Sequence, residues 1–317
     1  MPLEPTLREL SKAMAGATPP LSSAAMDAAE ARRRAAIRAR MSCLPDDTAE
    51  PEQTVCWRGE RLRMRTTVGP ADGPLVLYLH SGGWVAGSTA ATQRSCRALA
   101  EGLAATVVSL DYPLAPENPY PAALENTLTA LRWLASGECG LPGDPGTVIA
   151  AGESAGGNLA AAALLRLRDG KEPLPVRAAL LVVPVLDDDF GRSSYRRFDR
   201  GDIDGRSGMH WYARQYLAAG GAAAADSPYA WPLRSDWLGG LPPTVLVQAE
   251  YDPLVDEQCE WASRVSADGG RIELLRYPGV GHSFFGLDHL SPTARCAQQD
   301  ACLALTDILC RWQWSLA

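Results

Sequence analysis

The chain has 317 residues, of which 46% are hydrophobic and 21% are charged. This composition is typical of a soluble globular protein with enough apolar side chains for one large domain or two ordinary ones. Its formal net charge of −7 disfavours nucleic acid as a partner, because a protein that binds phosphates needs a basic face.

The eight cysteines are scattered without a CxxC pair or a Cys/His cluster, so no metal site is expected. The segment Met1–Leu10 carries charges and prolines and lacks the apolar core of a signal peptide. No run approaches the roughly 20 apolar residues that a membrane span needs. These patterns predict a cytoplasmic protein with reduced cysteines and no stable membrane insertion.

Residues 1–50 differ from the rest of the chain. Within them, the alanine- and arginine-rich stretch Ser22–Met41 is predicted to be a helix that Ser23 can cap. Its apolar stripe is too sparse for an independent domain. We expect this N-terminal cap region either to cover a site as a lid or to dock loosely as an arm.

A regular alternation of strands and helices follows. From Thr54 to Val68 the pattern around Arg58-Gly59-Glu60 predicts a β-hairpin, and the continuous apolar run Pro74–Leu79 predicts a strand buried on both faces. Further buried strands are predicted at 106–110, 147–151, 178–185, 244–249 and 272–275, and helices at 92–104, 121–135 and 159–167. This order predicts a mostly parallel sheet with helices on both faces.

Residues 187–241 break the alternation, since they are too many for an ordinary crossover. They are rich in aromatic residues, Gly, Arg and Asp, with one predicted helix around 209–217. We expect a cap insertion above the strand ends, where α/β sheets bind ligands, and a core formed by 51–186 and 242–317. At least half of its aromatic residues are expected to pack as the insertion's own core. The aromatic residues that are candidate pocket walls are Phe190, Tyr195, Phe198, Trp211, Tyr212 and Trp231.

One stretch, Val148–Asn158, places a serine between a predicted strand and a predicted helix. Gly152-Glu153-Ser154-Ala155-Gly156 matches Gly-x-Ser-x-Gly, and its small residues suit the crowded turn that holds such a serine out from the sheet. The helix that follows directs free N–H groups and its positive end toward developing negative charge. The pattern favours Ser154 as a nucleophile.

A serine hydroxyl is a weak nucleophile at neutral pH and needs a base that an acid orients. Asp252 follows the strand at 244–249, and His282 lies in a glycine-rich loop after the strand at 272–275. The order Ser154, Asp252, His282 is the order used on sheets of this kind. Taken singly, His282 is more typical of a structural loop histidine and Asp252 of a helix cap, but their combined placement favours catalysis.

The segment His80-Ser81-Gly82-Gly83-Trp84 directly follows the first buried strand. Its two glycines let backbone N–H groups approach a reacting oxygen closely, so Gly82 and Gly83 are candidate oxyanion donors, together with the amide of Ala155. We interpret His80 as a side chain that braces this loop rather than as the base. An ordinary turn at the two glycines is the alternative.

Five pieces of the chain, in order between about residues 55 and 290, resemble the hormone-sensitive-lipase-like group of α/β-hydrolases, which includes the bacterial family IV esterases. They are His80–Trp84, Asp111–Glu117, Gly152–Asn158, Asp252–Leu254 and Gly281–Phe285. The resemblance implies the α/β-hydrolase fold, with a mostly parallel eight-stranded sheet and a helical cap. It also implies a carboxylesterase that acts without cofactor on small-molecule esters through an acyl-enzyme.

By position, the resemblance makes Ser154 the nucleophile, His282 the general base and then acid, and Asp252 the orienting carboxylate. The oxyanion hole would be formed by the amides of Gly82, Gly83 and Ala155. An apolar pocket for short to medium acyl groups would be bounded by Trp84, Tyr195, Phe198 and Trp211. Homodimers are common in the family, although no residue pattern in this chain specifies one.

Three positions depart from the family pattern. Ser81 stands where the first of three glycines is usual, Glu153 where Asp is commoner, and Pro113 where Arg is usual. Ser81 would shift or stiffen its loop, while Pro113 removes a charged, hydrogen-bonding side chain. None of the three belongs to the expected triad.

Two other functions stay open. The same scaffold could deacetylate a specialised metabolite, transfer an acyl group or catalyse a non-hydrolytic tailoring reaction, and the shape of the cap would decide which. A non-catalytic, receptor-like binding protein, as among the gibberellin-receptor relatives, would have lost a triad residue, whereas all three are present here.

Overall fold

The computed structural model describes residues 2–9, 27–42, 49–173, 176–198, 205–218 and 224–315. Its strands are β1 (Glu52–Trp57), β2 (Glu60–Thr67), β3 (Pro74–Leu79), β4 (Thr106–Leu110), β5 (Asp144–Glu153), β6 (Val176–Val182), β7 (Thr244–Tyr251) and β8 (Ile272–Gly281). They form one eight-stranded sheet in the order β1-β2-β4-β3-β5-β6-β7-β8. Two pairs, β1 with β2 and β2 with β4, are antiparallel and the others are parallel, so the predicted mostly parallel sheet is confirmed.

The helices of eleven or more residues are α1 (Ala28–Ser42), α2 (Gln93–Leu103), α3 (Ala122–Ala135), α4 (Ala155–Asp169), α6 (Gly205–Leu217), α7 (Val255–Ala267) and α8 (Pro292–Ser315), with the shorter α5 (Ser193–Arg197) between α4 and α6. Short 3₁₀ turns occur at Thr89–Thr92 and Pro232–Arg234. The insertion 187–241 thus contains α5, α6 and one of these turns. The assignment of 187–241 as a cap insertion, separate from the core 51–186 and 242–317, stays a prediction.

The strand β3 explains why the central strands read as continuous apolar runs. Leu75, Leu77 and Leu79 point to the face that α3, α4 and α7 cover, where they join one buried cluster. Val76 and Tyr78 point to the other face, which α2 and α8 cover. Since both faces are buried, each fully buried leucine contributes about 2 kcal/mol relative to an exposed one.

The predicted hairpin between β1 and β2 is confirmed. Trp57 pairs with Glu60 across a two-residue turn, in which Arg58 has φ 50° and Gly59 has φ 87°. Two positive φ angles are what a tight hairpin turn needs to match the twist of its strands. The turn therefore depends on Gly59, which adopts this conformation without a steric penalty.

Several boundaries differ from those expected from the sequence. The strand β6 ends at Val182, not at Val185, because Val183 takes a left-handed conformation (φ 40°) and Pro184 follows it without a backbone N–H. The strand β8 continues to Gly281, so His282 follows it directly. α4 begins at Ala155, immediately after Ser154.

The N-terminal helix α1 begins later than predicted. Its cap is Asp27, whose Oδ1 accepts a 2.8 Å hydrogen bond from the backbone N–H of Glu30. The expected cap, Ser23, lies outside the described residues. Within the predicted range Ser22–Met41, the helix is confirmed from Ala28 onward.

Residues 2–9 lie against the strand that precedes His282. The backbone N–H of Glu4 donates to Gly279 O at 2.8 Å, and its carboxylate accepts hydrogen bonds from the hydroxyls of Ser291 and Thr293 at the start of α8. Leu7 is buried in the apolar cluster on the same face of the sheet. This segment therefore joins β8 to the first turn of α8.

Candidate active site

Ser154 occupies a sharp turn between β5 and α4. Its backbone has φ 56° and ψ −115°, a strained conformation for a residue other than glycine. The turn is held by hydrogen bonds from Ser154 N to Val182 O (2.9 Å) and from Val185 N to Ser154 O (3.2 Å). These bonds fix the serine at the carboxyl end of the central strand.

The residues flanking Ser154 must be small because backbone atoms press on them. A Cβ atom added at Gly152 would lie 2.3 Å from Gly156 O, and one added at Gly156 would lie 2.1 Å from Leu79 O. Both neighbours are main-chain atoms, which cannot turn away. The crowded turn predicted from the sequence is thus present, and the glycines of the Gly-x-Ser-x-Gly motif also allow α4 to pack closely against β3.

Ser154, His282 and Asp252 form one continuous chain of hydrogen bonds. The distance from His282 Nε2 to Ser154 Oγ is 2.9 Å, and that from His282 Nδ1 to Asp252 Oδ2 is 3.0 Å. Because a carboxylate can only accept, Nδ1 carries the proton and Nε2 faces the serine hydroxyl as an acceptor. The structure thus brings together three side chains that lie up to 128 residues apart in the chain.

Asp252 is fully buried and is held by two further donors. Its Oδ1 accepts the backbone N–H of Leu254 at 3.0 Å, and its Oδ2 also accepts Nε2 of Gln258 at 3.3 Å. The same Gln258 amide donates to Pro184 O at 3.3 Å, in the segment that follows β6. These donors hold the carboxylate of Asp252 in its orientation toward His282.

A second carboxyl group lies behind Asp252. Glu257 is completely buried, its Oε1 accepts the backbone N–H of Leu186 at 2.7 Å, and its Oε2 is 3.4 Å from the hydroxyl of Tyr195. Burial is the main cause that raises the pKa of Glu257 well above its ordinary value, and the negative charges of Asp187 and Asp252 raise it further. The raised pKa favours the neutral form of Glu257.

The loop after β3 has the conformation that its glycines permit. Gly82 has φ 129° and Gly83 has φ 60°, both in the region that favours glycine. The carbonyl of Gly82 accepts hydrogen bonds from Val85 N (3.2 Å) and Ala86 N (3.0 Å), which close a tight turn. At Ala155, the first residue of α4, the backbone N–H has no partner within the helix.

His80 braces this loop from behind. It is fully buried, stacks on Tyr112 with ring centroids 4.1 Å apart, and lies with Nδ1 2.8 Å from Ser81 O. The hydroxyl of Tyr112 donates to His80 O at 2.8 Å, and burial lowers the pKa of the His80 imidazole. A neutral ring that donates to a loop carbonyl agrees with the interpretation of His80 as a bracing side chain.

The departures from the family pattern leave the loop supported. Ser81 contributes the carbonyl that His80 contacts, and Glu153 is buried beside Ser154. Pro113 lies in the segment Asp111–Glu117, where the carboxylate of Asp111 pairs with Arg63. None of these residues separates the serine from the histidine.

Trp84 does not present a free surface to a pocket. It is 1% exposed, stacks on Tyr216 with centroids 4.3 Å apart, and donates its indole N–H to Asn158 Oδ1 at 3.3 Å. Asn158 in turn donates to Ala230 O at 2.9 Å. The tryptophan therefore links the loop His80–Trp84, called the oxyanion loop below after its predicted role, to α4 and the insertion as a packing residue.

The other aromatic candidates for pocket walls differ in how far they are buried. Tyr195 is fully buried next to Glu257, and Trp211 packs with Val85 in a separate buried cluster. Phe198 is half-buried and contacts the ring of Tyr251 at 5.8 Å. Tyr195 and Trp211 are thus buried against the rest of the chain, Tyr195 in the main cluster on one face of the sheet and Trp211 against α1 and the loop after β3, rather than in a core of the insertion's own.

Tyr212 is the aromatic residue that lies directly on the oxyanion loop. A Cβ atom added at Gly83 would be 2.4 Å from Cδ1 of Tyr212, so the ring of this α6 residue packs on the glycine itself. The sequence named Tyr212 among six aromatics but offered no reason to prefer it. Its contact with Gly83 becomes visible only when α6 is placed over the loop.

A cavity of about 350 Å³ opens on another side of α6. Phe190, His210, Leu217 and Trp231 are among its lining residues, and none of Ser154, His282 and Asp252 contributes to it. Within the described ranges, no group of three or more His, Cys, Asp and Glu side chains is arranged to hold a metal ion. No helix in that part of the chain is long and apolar enough to cross a membrane.

Comparison with known proteins gives consistent results. A family model described as an alpha/beta hydrolase fold matches residues 76–286. The chain is 33% identical over 289 residues to Esterase LipI of Mycobacterium tuberculosis, covering 86% of this chain and 88% of the relative. It is 30% identical to the ethyl acetate hydrolase of Pseudomonas putida, covering 82% and 84% of the two chains.

A solved structure extends the similarity to nearly the whole fold. The hyperthermophilic esterase from the archaeon Pyrobaculum calidifontis superimposes with a TM-score of 0.87 at 33% identity, covering 98% of this chain and 99% of that one. Family match, relatives and structure agree with the motifs and the fold described above. The chain belongs to the hormone-sensitive-lipase-like group of the α/β-hydrolase family.

Proposed function

We propose that this protein is a serine carboxylesterase that hydrolyses short to medium acyl esters through an acyl-enzyme on Ser154. The observation that carries the proposal is the unbroken hydrogen-bonded chain from Ser154 through His282 to Asp252, with distances of 2.9 and 3.0 Å. The names of the relatives, esterase and ethyl acetate hydrolase, support ester hydrolysis as the reaction.

In the first half of the reaction, Ser154 Oγ attacks the ester carbonyl while His282 Nε2 takes the hydroxyl proton. Asp252 accepts from Nδ1 and stabilises the imidazolium that forms. The negative charge that develops on the carbonyl oxygen would be met by the amides of Gly82, Gly83 and Ala155. Collapse of this intermediate breaks the bond to the alcohol, which leaves with the proton from His282.

In the second half, a water molecule attacks the acyl-enzyme and loses its proton to His282. The tetrahedral intermediate uses the same amides, and its collapse returns the proton to Ser154 Oγ and releases the carboxylic acid. Every group that moves a proton or meets the developing charge in this scheme belongs to the protein. We therefore assign no step to a metal or a cofactor.

The contact between Tyr212 and Gly83 supports a small acyl pocket. We infer that an acyl group held at this loop lies beside the tyrosine ring, which packs directly against Gly83. The relative named for ethyl acetate acts on an acetyl ester, which agrees with this restriction. Cytoplasmic location and the absence of nucleic-acid partners stay predictions from the sequence, and a homodimer stays a possibility that only the family resemblance implies.

The test of the proposal measures hydrolysis of p-nitrophenyl esters from acetate to palmitate by the wild type and by Ser154→Ala. We expect turnover to peak at short chains and to vanish in the variant, while circular dichroism stays unchanged. Ser136→Ala is the matched control, because its hydroxyl bonds to Trp133 O and the Glu138 amide at the end of α3, away from Ser154. Near-normal turnover by Ser154→Ala would exclude the proposed nucleophile.

The acyl-size part of the proposal has its own test. Tyr212→Ala should move the preferred substrate toward longer acyl chains, whereas Tyr229→Ala should not, because the Tyr229 hydroxyl bonds to Asp169 at the far end of α4. An unchanged chain-length profile in Tyr212→Ala would show that Tyr212 does not bound the acyl site, and would leave the assignment of Ser154 standing. Weak turnover on all esters, with Ser154 still labelled by an organophosphate, would favour a dedicated metabolite or an acyltransferase role.

A further inference from the structure

The side chain of Arg32 joins the N-terminal helix α1 to the segments that support the oxyanion loop. Its Nε donates to Val85 O at 3.0 Å, and its Nη2 donates to Ala115 O at 3.2 Å. The remaining donors form a two-pronged ion pair with Glu117, with a distance of 2.9 Å from Nη1 to Oε1. One guanidinium thus bonds to two backbone carbonyls and one carboxylate.

Both carbonyls belong to residues whose backbone N–H groups bond to the loop that carries the proposed oxyanion donors. The backbone N–H of Val85 closes that turn by donating to Gly82 O, and Ala115 N donates to Trp84 O at 2.9 Å. Val85 and Ala115 therefore each bond to the loop through their N–H and to Arg32 through their C=O. A shift of either carbonyl would be passed to the amides of Gly82 and Gly83.

Apolar packing aligns the same elements. Ala31, the neighbour of Arg32 on α1, lies with Val85, Ala115 and Trp211 in one small buried cluster. α1, the oxyanion loop, the segment Asp111–Glu117 and α6 thus meet at one point. Arg32 provides the directional hydrogen bonds at this junction, which apolar contacts cannot supply.

We propose that Arg32 is a positioning residue that holds the oxyanion loop in its catalytic geometry from the N-terminal helix. This inference rests on the proposed esterase function, because the loop has a catalytic role only in that reaction. Donors aimed at a developing oxyanion stabilise the transition state more than the bound ester, so a displaced loop lowers kcat more than it raises KM. The planar guanidinium reaches four acceptor oxygens, two on backbone carbonyls and two on Glu117, whereas the ammonium of a lysine has only three N–H donors on one atom.

The ion pair persists over any practical assay pH. Hydrogen bonding to Arg32 lowers the pKa of Glu117 to about 2, so the carboxylate stays charged throughout. The proposed positioning is therefore independent of pH. This separates its effect from that of His282, whose protonation state controls the pH profile.

The test compares Arg32→Met with Arg33→Met, which removes the same charge from the next residue of α1. Arg33 instead forms an ion pair with Glu30 on its own helix. Removing an oxyanion donor outright lowers kcat by roughly 100- to 1,000-fold, so displacing the donors should lower it by about tenfold. We expect that loss in Arg32→Met with KM within about twofold, Arg32→Lys close to Arg32→Met, and Arg33→Met unchanged.

A second readout isolates the oxyanion hole. A trifluoromethyl ketone adds to Ser154 as a tetrahedral adduct, and its affinity should fall in Arg32→Met by about the same factor as kcat. Rates are normalised to the fraction of enzyme that a fluorophosphonate labels, which removes misfolded protein from the comparison. If Arg32→Met does not fold, Glu117→Gln keeps both carbonyl contacts without the ion pair and should lower kcat by about threefold.

Two results would overturn the inference: equal kinetics in Arg32→Met and Arg33→Met, or a higher KM with kcat and ketone affinity unchanged. The second would mean that α1 contributes to substrate binding only. Failure of the proposed function would be recognised separately. In that case Ser154 of the wild type would not be labelled, and Ser154→Ala would turn over esters as fast as the wild type.

Discussion

Replacing Gly83 by alanine would test the packing of Tyr212 on the oxyanion loop by a measurement of stability. Two costs add at this position. The left-handed backbone (φ 60°) costs an alanine about 1–2 kcal/mol. The new Cβ would also lie 2.4 Å from Cδ1 of Tyr212, and such overpacking costs about 1–3 kcal/mol. Gly83→Ala should therefore lower the free energy of unfolding by about 2–5 kcal/mol.

Two further variants separate these costs. Gly140 has φ 67° with nothing within 4 Å of an added Cβ, so Gly140→Ala should show only the backbone cost of about 1–2 kcal/mol. In a Tyr212→Ala background the steric cost disappears, and Gly83→Ala should then cost about as much as Gly140→Ala. The free energies come from urea unfolding followed by tryptophan fluorescence.

The coupling between Gly83 and Tyr212 decides the outcome. The double-variant cycle should give a coupling energy of about 1–3 kcal/mol, equal to the relieved overlap. If the destabilisation of the double variant equals the sum of the two single-variant values within about 0.5 kcal/mol, the contact is refuted. The structural basis for a small acyl pocket would be refuted with it.

Three further predictions concern titrating groups. kcat/KM should rise with pH as His282 loses its proton, and a flat profile would argue against a histidine base. Burial raises the pKa of Glu257, so its contribution to stability is full at low pH and is lost as pH rises. Between about pH 5 and about pH 8, the free energy of unfolding of Glu257→Gln should therefore rise relative to that of the wild type in urea titrations, and a relative fall would contradict this. Burial raises the pKa of Cys96 to about 12, so iodoacetamide at about pH 8 should label the exposed Cys56 and leave Cys96 unmodified. Mass spectrometry measures the labelling, and equal labelling of the two cysteines would contradict this.

The sequence predicts best those features whose physics is local. Pro74–Leu79 is recognisable because a strand covered on both faces must be apolar throughout. Ser154 is recognisable because its strained turn between β5 and α4 excludes large neighbours. Asp252 and His282 follow because each lies where a parallel strand ends.

Features that depend on contacts across the chain were not predictable. Arg32 is one of several arginines in α1, and only the folded position of Val85 and Ala115 distinguishes it from Arg33. Trp84 was expected in a pocket wall, but its partners Tyr216 and Asn158 lie far away in sequence and bury it. A tryptophan looks the same in a sequence whether it lines a cavity or fills one.

The docking of residues 2–9 has a consequence for the order of folding. Glu4 and Ser291 are 287 residues apart, so their contact closes almost the longest loop that the chain allows. Contacts of such long range form late, because their closure entropy is repaid only once both ends are ordered. In pulsed hydrogen exchange, the amides of 2–9 should gain protection after those of β3 and β5, and simultaneous protection would contradict this order. The strand that leads to His282 would then acquire its outer cover only after the central sheet, with its turn at Ser154, has formed.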